Sequence, residues 1–262
     1  ILDIKKSNRP KLEKNIRIYI PNKVTWNVLN TIQKRPLDTI FIHNVDSILN
    51  DVETFINDEN TYITKGIKYK RNYLLHGPPG TGKTSLISAI ASKYSLDIFM
   101  INLNAFESDN AFVKLVNILP ERSMLVLEDI DHLFKNENSK KISFSTILNT
   151  LDGFACKNRL MTFMTTNNFN QLDETIKRPG RIDYIMEFKY ANKKQMKEMY
   201  TSYLENRQNF DQLYEKIKKK KISTAAFNKF LFDNRKEKNI LSKLDVLDNL
   251  SVQYKNYQNM FI

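Results

Sequence analysis

Hydrophobic and polar positions alternate along most of the chain in a way that predicts strands and helices in turn. Apolar residues at helical spacing predict a helix over 44–57. The segments that follow are predicted to be strands at 73–76, 98–103, 124–127, 160–165 and 184–190, and helices at 85–94, 111–119 and 143–151. Near-continuous apolar strands alternating with helices are typical of an α/β fold, in which helices cover both faces of a parallel sheet.

The two ends of the chain differ from this middle part. Ile16, Ile18 and Ile20 alternate with polar residues and predict a strand that ends at Pro21. After residue 190, Lys-rich segments predict a small all-helical domain with helices at 192–206, 210–219, 224–234 and 241–256. We therefore expect three units: 1–35 as the end of an upstream domain, 36–190 as the large α/β unit, and 191–262 as the helical unit. Because the chain begins with Ile1, we expect a fragment or a processed product.

Composition excludes some functions and leaves others open. The 262 residues carry a net charge of +12, but 31 of the 41 basic residues are Lys. A biased codon usage explains this better than a nucleic-acid surface, because Arg and aromatic residues are only weakly interleaved with the lysines. The run Lys218–Lys221 is either a solvated helix end or a contact for nucleic acid or lipid. A single cysteine, Cys156, with three scattered histidines, excludes a disulfide framework and a Cys/His zinc site.

One glycine-rich segment carries the clearest chemistry. It follows a predicted strand, precedes a predicted helix and has the sequence Gly77-Pro78-Pro79-Gly80-Thr81-Gly82-Lys83-Thr84, followed by Ser85. In this context the backbone N–H groups of the turn and the helix N-terminus bind phosphate. Lys83 places a positive charge between the β- and γ-phosphates, and Thr84 offers a hydroxyl to Mg²⁺. The segment predicts ATP binding with Mg²⁺.

Two adjacent carboxylates, Glu128 and Asp129, end the apolar run at 124–127. Beside a phosphate-binding loop, the first carboxylate holds Mg²⁺ through its water shell and the second polarises the attacking water. The usual order is Asp then Glu, and here it is inverted. Asp129 is about 1.5 Å shorter than a glutamate, and a misplacement of about 1 Å can cost about 100-fold in rate. A site that no longer hydrolyses therefore stays open as an alternative.

Two further polar segments complete the candidate site. Asn167 ends the strand predicted at 160–165, where it is either a turn residue or a group that orients the attacking water or contacts the γ-phosphate. Arg178 and Arg181 flank a Pro-Gly turn. They cannot easily reach their own nucleotide, but they can reach a neighbour's, where an arginine stabilises the transferring phosphoryl group. Such arginines imply a ring or filament of identical chains.

These motifs, in this order, resemble those of the AAA subfamily of the AAA+ ATPases. The resemblance rests on the phosphate-binding segment, the acidic strand end, Thr165-Thr166-Asn167 and the segment 172–183, Leu-Asp-Glu-Thr-Ile-Lys-Arg-Pro-Gly-Arg-Ile-Asp. It implies a P-loop module with a five-stranded parallel sheet and a helical lid. It further implies that Asn167 is sensor 1 and that Arg178 and Arg181 are the arginine fingers. Ser223, Thr224 and Ala225 are similar to the family's lid residues near the base and sugar.

A closer resemblance is to the Bcs-type mitochondrial chaperones. It rests on segments 34–37, 66–75, 120–123, 128–131, 148–153 and 164–167, which include the inverted Glu-Asp pair. That group is an inner-membrane translocase for the folded Rieske iron–sulfur protein of respiratory complex III. The resemblance implies a homo-oligomeric ring and a protein client. It places the protein at the mitochondrial inner membrane, with the cytoplasm as the alternative, and any membrane contact would come from a segment missing from this chain.

Two other functions stay open at this point. The first is a nucleic-acid-remodelling AAA+ ATPase, against which the Arg-Pro-Gly-Arg segment argues; the second is a scaffold that binds nucleotide without hydrolysing it. Phe106 lies near the family's pore loop and is either a residue that grips the client or a packing residue.

Overall fold

The computed structural model describes residues 15–103, 108–131, 142–152, 157–178, 180–204, 209–237 and 239–260. Phe106, His132, Cys156 and Pro179 lie outside this part of the chain, and so does the question of a pore-loop role for Phe106. Within it, seven strands form one sheet. They are β1 (Asn15–Asn22), β2 (Thr25–Gln33), β3 (Lys70–His76), β4 (Ile98–Ile101), β5 (Met124–Leu127), β6 (Leu160–Thr166) and β7 (Tyr184–Glu187).

The described helices fall into two groups, one packed on the sheet and one beyond it. The first group is α1 (Val45–Asn57), α2 (Glu59–Thr64), α3 (Lys83–Tyr94), α4 (Asp109–Asn117) and α5 (Phe144–Leu151). The second group is α6 (Lys193–Tyr203), α7 (Phe210–Ile217), α8 (Thr224–Asp233) and α9 (Leu244–Met260), with a short 3-10 helix at Ile240–Lys243. The predicted α/β fold with a small helical lid is confirmed. Among the described residues, none of these helices combines the length and the apolar character needed to cross a membrane.

The sheet has the strand order β2-β1-β4-β5-β6-β3-β7. The five strands β4, β5, β6, β3 and β7, in their order across the sheet, are parallel, as predicted. Strand β1 extends this parallel set by pairing with β4, where Ile18 lies beside Ile98. The carboxyl ends of β3, β5 and β6 therefore meet at one edge. The phosphate-binding turn, the two carboxylates and Asn167 follow these three strands directly.

Strand β2 has no counterpart in the sequence-based prediction. It pairs antiparallel with β1 and is exposed along most of its length, so its apolar residues do not alternate with period two. Trp26 fixes it to the module: its ring meets Phe99 edge-on at 5.1 Å and its indole N–H donates to the Leu115 carbonyl at 3.0 Å. Residues 15–33, expected to belong to an upstream unit, are thus hydrogen-bonded to the edge of the same sheet.

In the part of the chain that the structure describes, buried side chains form three hydrophobic clusters. One lies between the sheet and α4 and α5, a second between the opposite face and α1 and α3, and the third inside the helical lid. The lid contacts the α/β unit where α6 begins, since the Gln195 side-chain amide donates to the Phe41 carbonyl at 2.8 Å. A second contact joins α8 to the phosphate-binding turn, as described below. The lid therefore covers the edge where the strands end.

Candidate nucleotide-binding site

The turn between β3 and α3 depends on glycine at two points. At Gly77, with φ of 138°, a Cβ atom would lie 2.0 Å from the Phe188 carbonyl oxygen, so no larger residue fits. Gly82, the N-cap of α3, has φ of 105°, in the left-handed region that favours glycine. Gly77 therefore lets the backbone pass close to Phe188 at the end of β3, and Gly82 lets it turn sharply into α3.

A Gly77→Ala variant should lose stability because its methyl group meets backbone that cannot move away. The Phe188 N–H donates to the His76 carbonyl at 2.6 Å, so moving Phe188 would break the pairing of β3 and β7. We expect the free energy of unfolding to fall by about 3 kcal/mol, measured by chemical denaturation. Gly66→Ala is the matched control, because Gly66 also has positive φ but no atom within 4 Å of its would-be Cβ; it should cost only about 1 kcal/mol. Equal losses would contradict the close approach at Gly77.

The turn presents backbone donors to the cavity. Among the described residues, no acceptor takes the N–H groups of Gly80, Thr81 and Gly82 or those of Lys83 and Thr84 in the first turn of α3. Such donors at a helix N-terminus form an anion-binding site, because the helix dipole adds to the hydrogen bonds. The turn therefore fits a phosphate group.

Lys83 is buried and is held by three oxygens. Its ammonium donates to the carbonyls of Gly77 and Pro78 at 2.6 and 3.1 Å and to Oδ1 of Asn167 at 2.9 Å. Burial lowers the pKa of Lys83 to about 8, while the charges of Asp129 and Asp131 act in the opposite direction. A negative charge arriving near Lys83 would favour its protonated form further.

Thr84 and Glu128 form the second pair of the site. The Thr84 hydroxyl donates to Oε1 of Glu128 at 3.1 Å. Burial raises the pKa of Glu128, the neighbouring Asp129 raises it further, and the Thr84 hydrogen bond lowers it. Mg²⁺ prefers oxygen ligands. The Thr84 hydroxyl and the Glu128 carboxylate, beside a phosphate-binding turn, therefore fit that ion.

Asn167 joins the phosphate-binding turn to the acidic strand end. While its Oδ1 accepts from Lys83, its Nδ2 donates to Oδ1 of Asp129 at 3.1 Å. Asp129 itself has φ of 49°, and its N–H donates to the hydroxyl of Thr165 at 3.1 Å. The two carboxylates, Asn167, Lys83 and Thr84 are thus brought together, as their positions at neighbouring strand ends predict.

A cavity of about 610 Å³ extends from this group towards the lid. Its phosphate end is lined by Pro79, Gly80, Gly82, Lys83, Thr84, Ser85, Glu128, Asp129, Thr165 and Asn167. Its other end is lined by Arg35, Thr39, Ile40, Phe41, Ile42, Met199, Thr224, Ala225, Asn228 and Lys229. Most of the second set has no motif and could not be found from sequence, because it comes from the segment before α1 and from two separate helices of the lid, α6 and α8.

Four predicted residues, Gly77, Pro78, Thr81 and Ser223, do not line the cavity. Gly77 instead lies against the backbone of Phe188, as described above. Pro78 and Thr81 contact each other, since the Thr81 hydroxyl donates to the Pro78 carbonyl at 2.6 Å. Ser223 caps α8, its hydroxyl accepting the N–H of Ala226. The next two residues reach the turn itself: the Thr224 hydroxyl and the Ala225 N–H both donate to the Gly80 carbonyl, at 3.0 and 2.9 Å. The lid is therefore hydrogen-bonded directly to the phosphate-binding turn.

The two arginines lie away from the cavity. The carbonyl of Arg181 accepts from the Asn72 side chain at 2.8 Å, and its guanidinium donates to the Thr175 carbonyl at 2.7 Å; Arg178 is exposed. Asn72 lies near the start of β3, whereas Gly77 follows its end, about 17 Å further along the strand. The segment is held there by Asp183, which accepts from the buried Lys70 at 3.1 Å and from the Asn72 N–H at 2.8 Å.

Comparison with known proteins agrees with this geometry. Residues 73–190 match the family described as "ATPase family associated with various cellular activities (AAA)". The chain is 31% identical over 238 residues to the probable mitochondrial chaperone BCS1-B of Dictyostelium discoideum, covering 76% of the chain and 52% of that protein. It is 34% identical over 182 residues to the mitochondrial chaperone BCS1 of Homo sapiens, covering 64% of the chain and 43% of that protein.

A plant protein is similar over a comparable stretch. The protein HYPER-SENSITIVITY-RELATED 4 of Arabidopsis thaliana is 31% identical over 219 residues, which cover 76% of the chain and 38% of that protein. The chain spans about half the length of these relatives or less. The matched region contains the phosphate-binding turn, both carboxylates, Asn167 and both arginines. The chain belongs to the AAA family of ATPases, and its AAA module is similar to that of the BCS1-type mitochondrial chaperones.

Proposed function

We propose that this chain is the motor part of a ring-forming, Mg²⁺-dependent ATPase that remodels or translocates a protein client. The observation that carries the proposal is the bridge made by Asn167 between Lys83 and Asp129, beside the pair of Thr84 and Glu128. Membership of the AAA family supports ATP hydrolysis. The names of the relatives support a chaperone-like role and a mitochondrial location, with attachment to the inner membrane as part of the proposal.

The role proposed for each residue follows from its hydrogen-bonding groups and its charge. We assign ATP binding to Gly77, Pro78, Pro79, Gly80, Thr81, Gly82, Lys83, Thr84 and Ser85 of the turn and to Ser223, Thr224 and Ala225 of the lid. Thr84 and Glu128 would hold Mg²⁺, which when bound neutralises charge on the β- and γ-phosphates. Asp129 accepts a proton from the attacking water, and Asn167 orients Lys83 and Asp129 relative to each other.

The position of the arginines supports a ring. Arg178 and Arg181 lie near the amino end of β3, while the phosphate-binding turn follows its carboxyl end. Their distance from their own turn supports a role on a neighbouring chain's nucleotide, where a positive charge stabilises the phosphoryl group in transfer. We also propose the division into 36–190 and 191–262, which the separate buried cluster of the lid supports.

A Lys83→Ala variant tests the nucleotide site. Removing the ammonium takes away the buried positive charge of the cavity's phosphate end, so we expect the dissociation constant for ATP to rise about 100-fold. Titration with a fluorescent ATP analogue measures it. Lys93→Ala is the control, since Lys93 lies on the same helix but pairs with Glu53 at the surface; it should bind as the wild type does. Unchanged affinity in Lys83→Ala would contradict the site, and a wild-type ring without turnover would favour the non-hydrolysing scaffold.

A further inference from the structure

A third carboxylate, Asp131, lies buried behind the acidic strand end. It is 2% exposed, and a buried carboxylate is costly unless hydrogen bonds compensate the loss of water. Two side chains from the end of β6 provide such bonds. Oδ1 of Asp131 accepts from the hydroxyl of Thr166 at 2.9 Å, and Oδ2 accepts from the amide of Asn168 at 3.4 Å.

Thr166 and Asn168 are the residues on either side of Asn167. The Thr166 hydroxyl donates to Asp131 and also accepts the backbone N–H of Asn168 at 3.0 Å. Because a hydroxyl has one hydrogen to donate, the bond to the carboxylate fixes its orientation and leaves a lone pair for this N–H. Three hydrogen bonds thus tie the residues before and after Asn167 to Asp131 and to each other.

The orientation of Asn167 matters because its two ends do different things. Its oxygen must face Lys83 and its nitrogen must face Asp129 for both bonds to form, at 2.9 and 3.1 Å. A shift of about 1 Å in a catalytic group can cost about 100-fold in rate. Contacts that fix the position of Asn167 therefore bear directly on the rate of hydrolysis.

We infer that Asp131 and Thr166 form a positioning pair that holds Asn167 in the orientation needed for hydrolysis. The inference rests on the proposed ATPase function and adds two residues that do not line the nucleotide cavity.

Thr166→Val tests the pair, because it removes the hydroxyl and keeps the branched shape of the side chain. We expect kcat to fall about 10- to 100-fold while the affinity for a fluorescent ATP analogue changes less than about threefold. Thr166→Ser keeps the hydroxyl and should recover most of the lost rate. Thermal denaturation of each variant, followed in parallel, reports any loss of stability.

A double-mutant cycle separates positioning from a purely structural role. If Thr166 acts through Asn167, then Thr166→Val should lower kcat in the wild type but cause little further loss in an Asn167→Ala background. The same factor in both backgrounds would overturn the inference, as would an unchanged kcat in Thr166→Val alone. If Thr166→Val does not fold, Asp131→Ala, which removes the acceptor of the bonds from Thr166 and Asn168, takes its place in the same cycle with the same expected result.

The wild-type chain in the same assay distinguishes the two proposals. An assembled wild type without turnover would contradict the ATPase function. An active wild type with an additive cycle would contradict only the positioning pair.

Discussion

An Asp129→Asn variant should bind ATP with an affinity within about threefold of wild type but hydrolyse it about 1,000-fold more slowly. An amide cannot accept a proton from water, so the variant loses the base, whereas the phosphate-binding turn is unchanged. The substitution keeps the shape of the side chain and an oxygen that can accept from Asn167. In the wild type, Oδ1 of Asp129 accepts this bond from Nδ2 of Asn167 at 3.1 Å. Steady-state phosphate release and nucleotide titration together measure the two effects.

Glu128→Gln is the matched comparison, and it should give a different signature. Glu128 bonds to Thr84 at 3.1 Å on the side of the proposed Mg²⁺ site. Its loss should therefore raise the Mg²⁺ concentration required for half-maximal rate, and added Mg²⁺ should restore part of the activity. A variant Glu128→Gln that loses all turnover at every Mg²⁺ concentration, beside an active Asp129→Asn, would show that the two carboxylates have exchanged roles.

The pair of variants also answers the question raised by the inverted order. Sequence alone left open whether a shorter carboxylate at the second position could still work. In the structure Asp129 has φ of 49°, a backbone conformation that costs about 1 kcal/mol outside glycine. Its N–H bond to Thr165 and its side-chain bond to Asn167 hold it in that conformation. Local backbone geometry thus places the carboxylate beside the amide despite its shorter side chain.

The sequence predicted best those segments whose local pattern and whose place in the fold require the same residues. The apolar runs became buried strands, and the polar residues at their ends met because parallel strands end at one edge. The glycine-rich turn was recognisable because few other sequences allow a strand to turn directly into a helix around a phosphate. For this reason most of the residues that line the phosphate end of the cavity could be predicted, with Thr165 as the exception.

Other parts of the site carry no local signal. Asp131 and Thr166 are hydrogen-bonded although they are 35 residues apart in sequence, and no local sequence pattern around either residue predicts this contact. The far end of the cavity depends on how the lid packs against residues 39–42, which is a matter of tertiary contacts. Strand β2 escaped prediction because an edge strand exposed on both faces has no period-two pattern.

A mixing experiment should show that the arginines act between chains. The double variant Arg178→Ala, Arg181→Ala keeps its own phosphate end intact, yet we expect its turnover to fall about 1,000-fold. Asp129→Asn has the complementary defect, with intact arginines and no base. Neither variant is expected to hydrolyse ATP alone, although both should bind it.

In a mixed ring, a site of the arginine variant can face the arginines of an Asp129→Asn neighbour and become complete. With random mixing of equal amounts, up to about a quarter of the contacts are of this kind, so the mixture should recover up to about a quarter of the wild-type rate. Mixing Asp129→Asn with Lys83→Ala is the control, because both have arginines but neither has a working site, and no recovery is expected. Mass measurement of each mixture establishes that rings form. A mixture that assembles and stays inactive would contradict arginines acting in trans, and a mixture that does not assemble would contradict the ring. Recovery would explain why Arg181 is bonded to the start of β3, which lies about 17 Å along the strand from the phosphate-binding turn of the same chain.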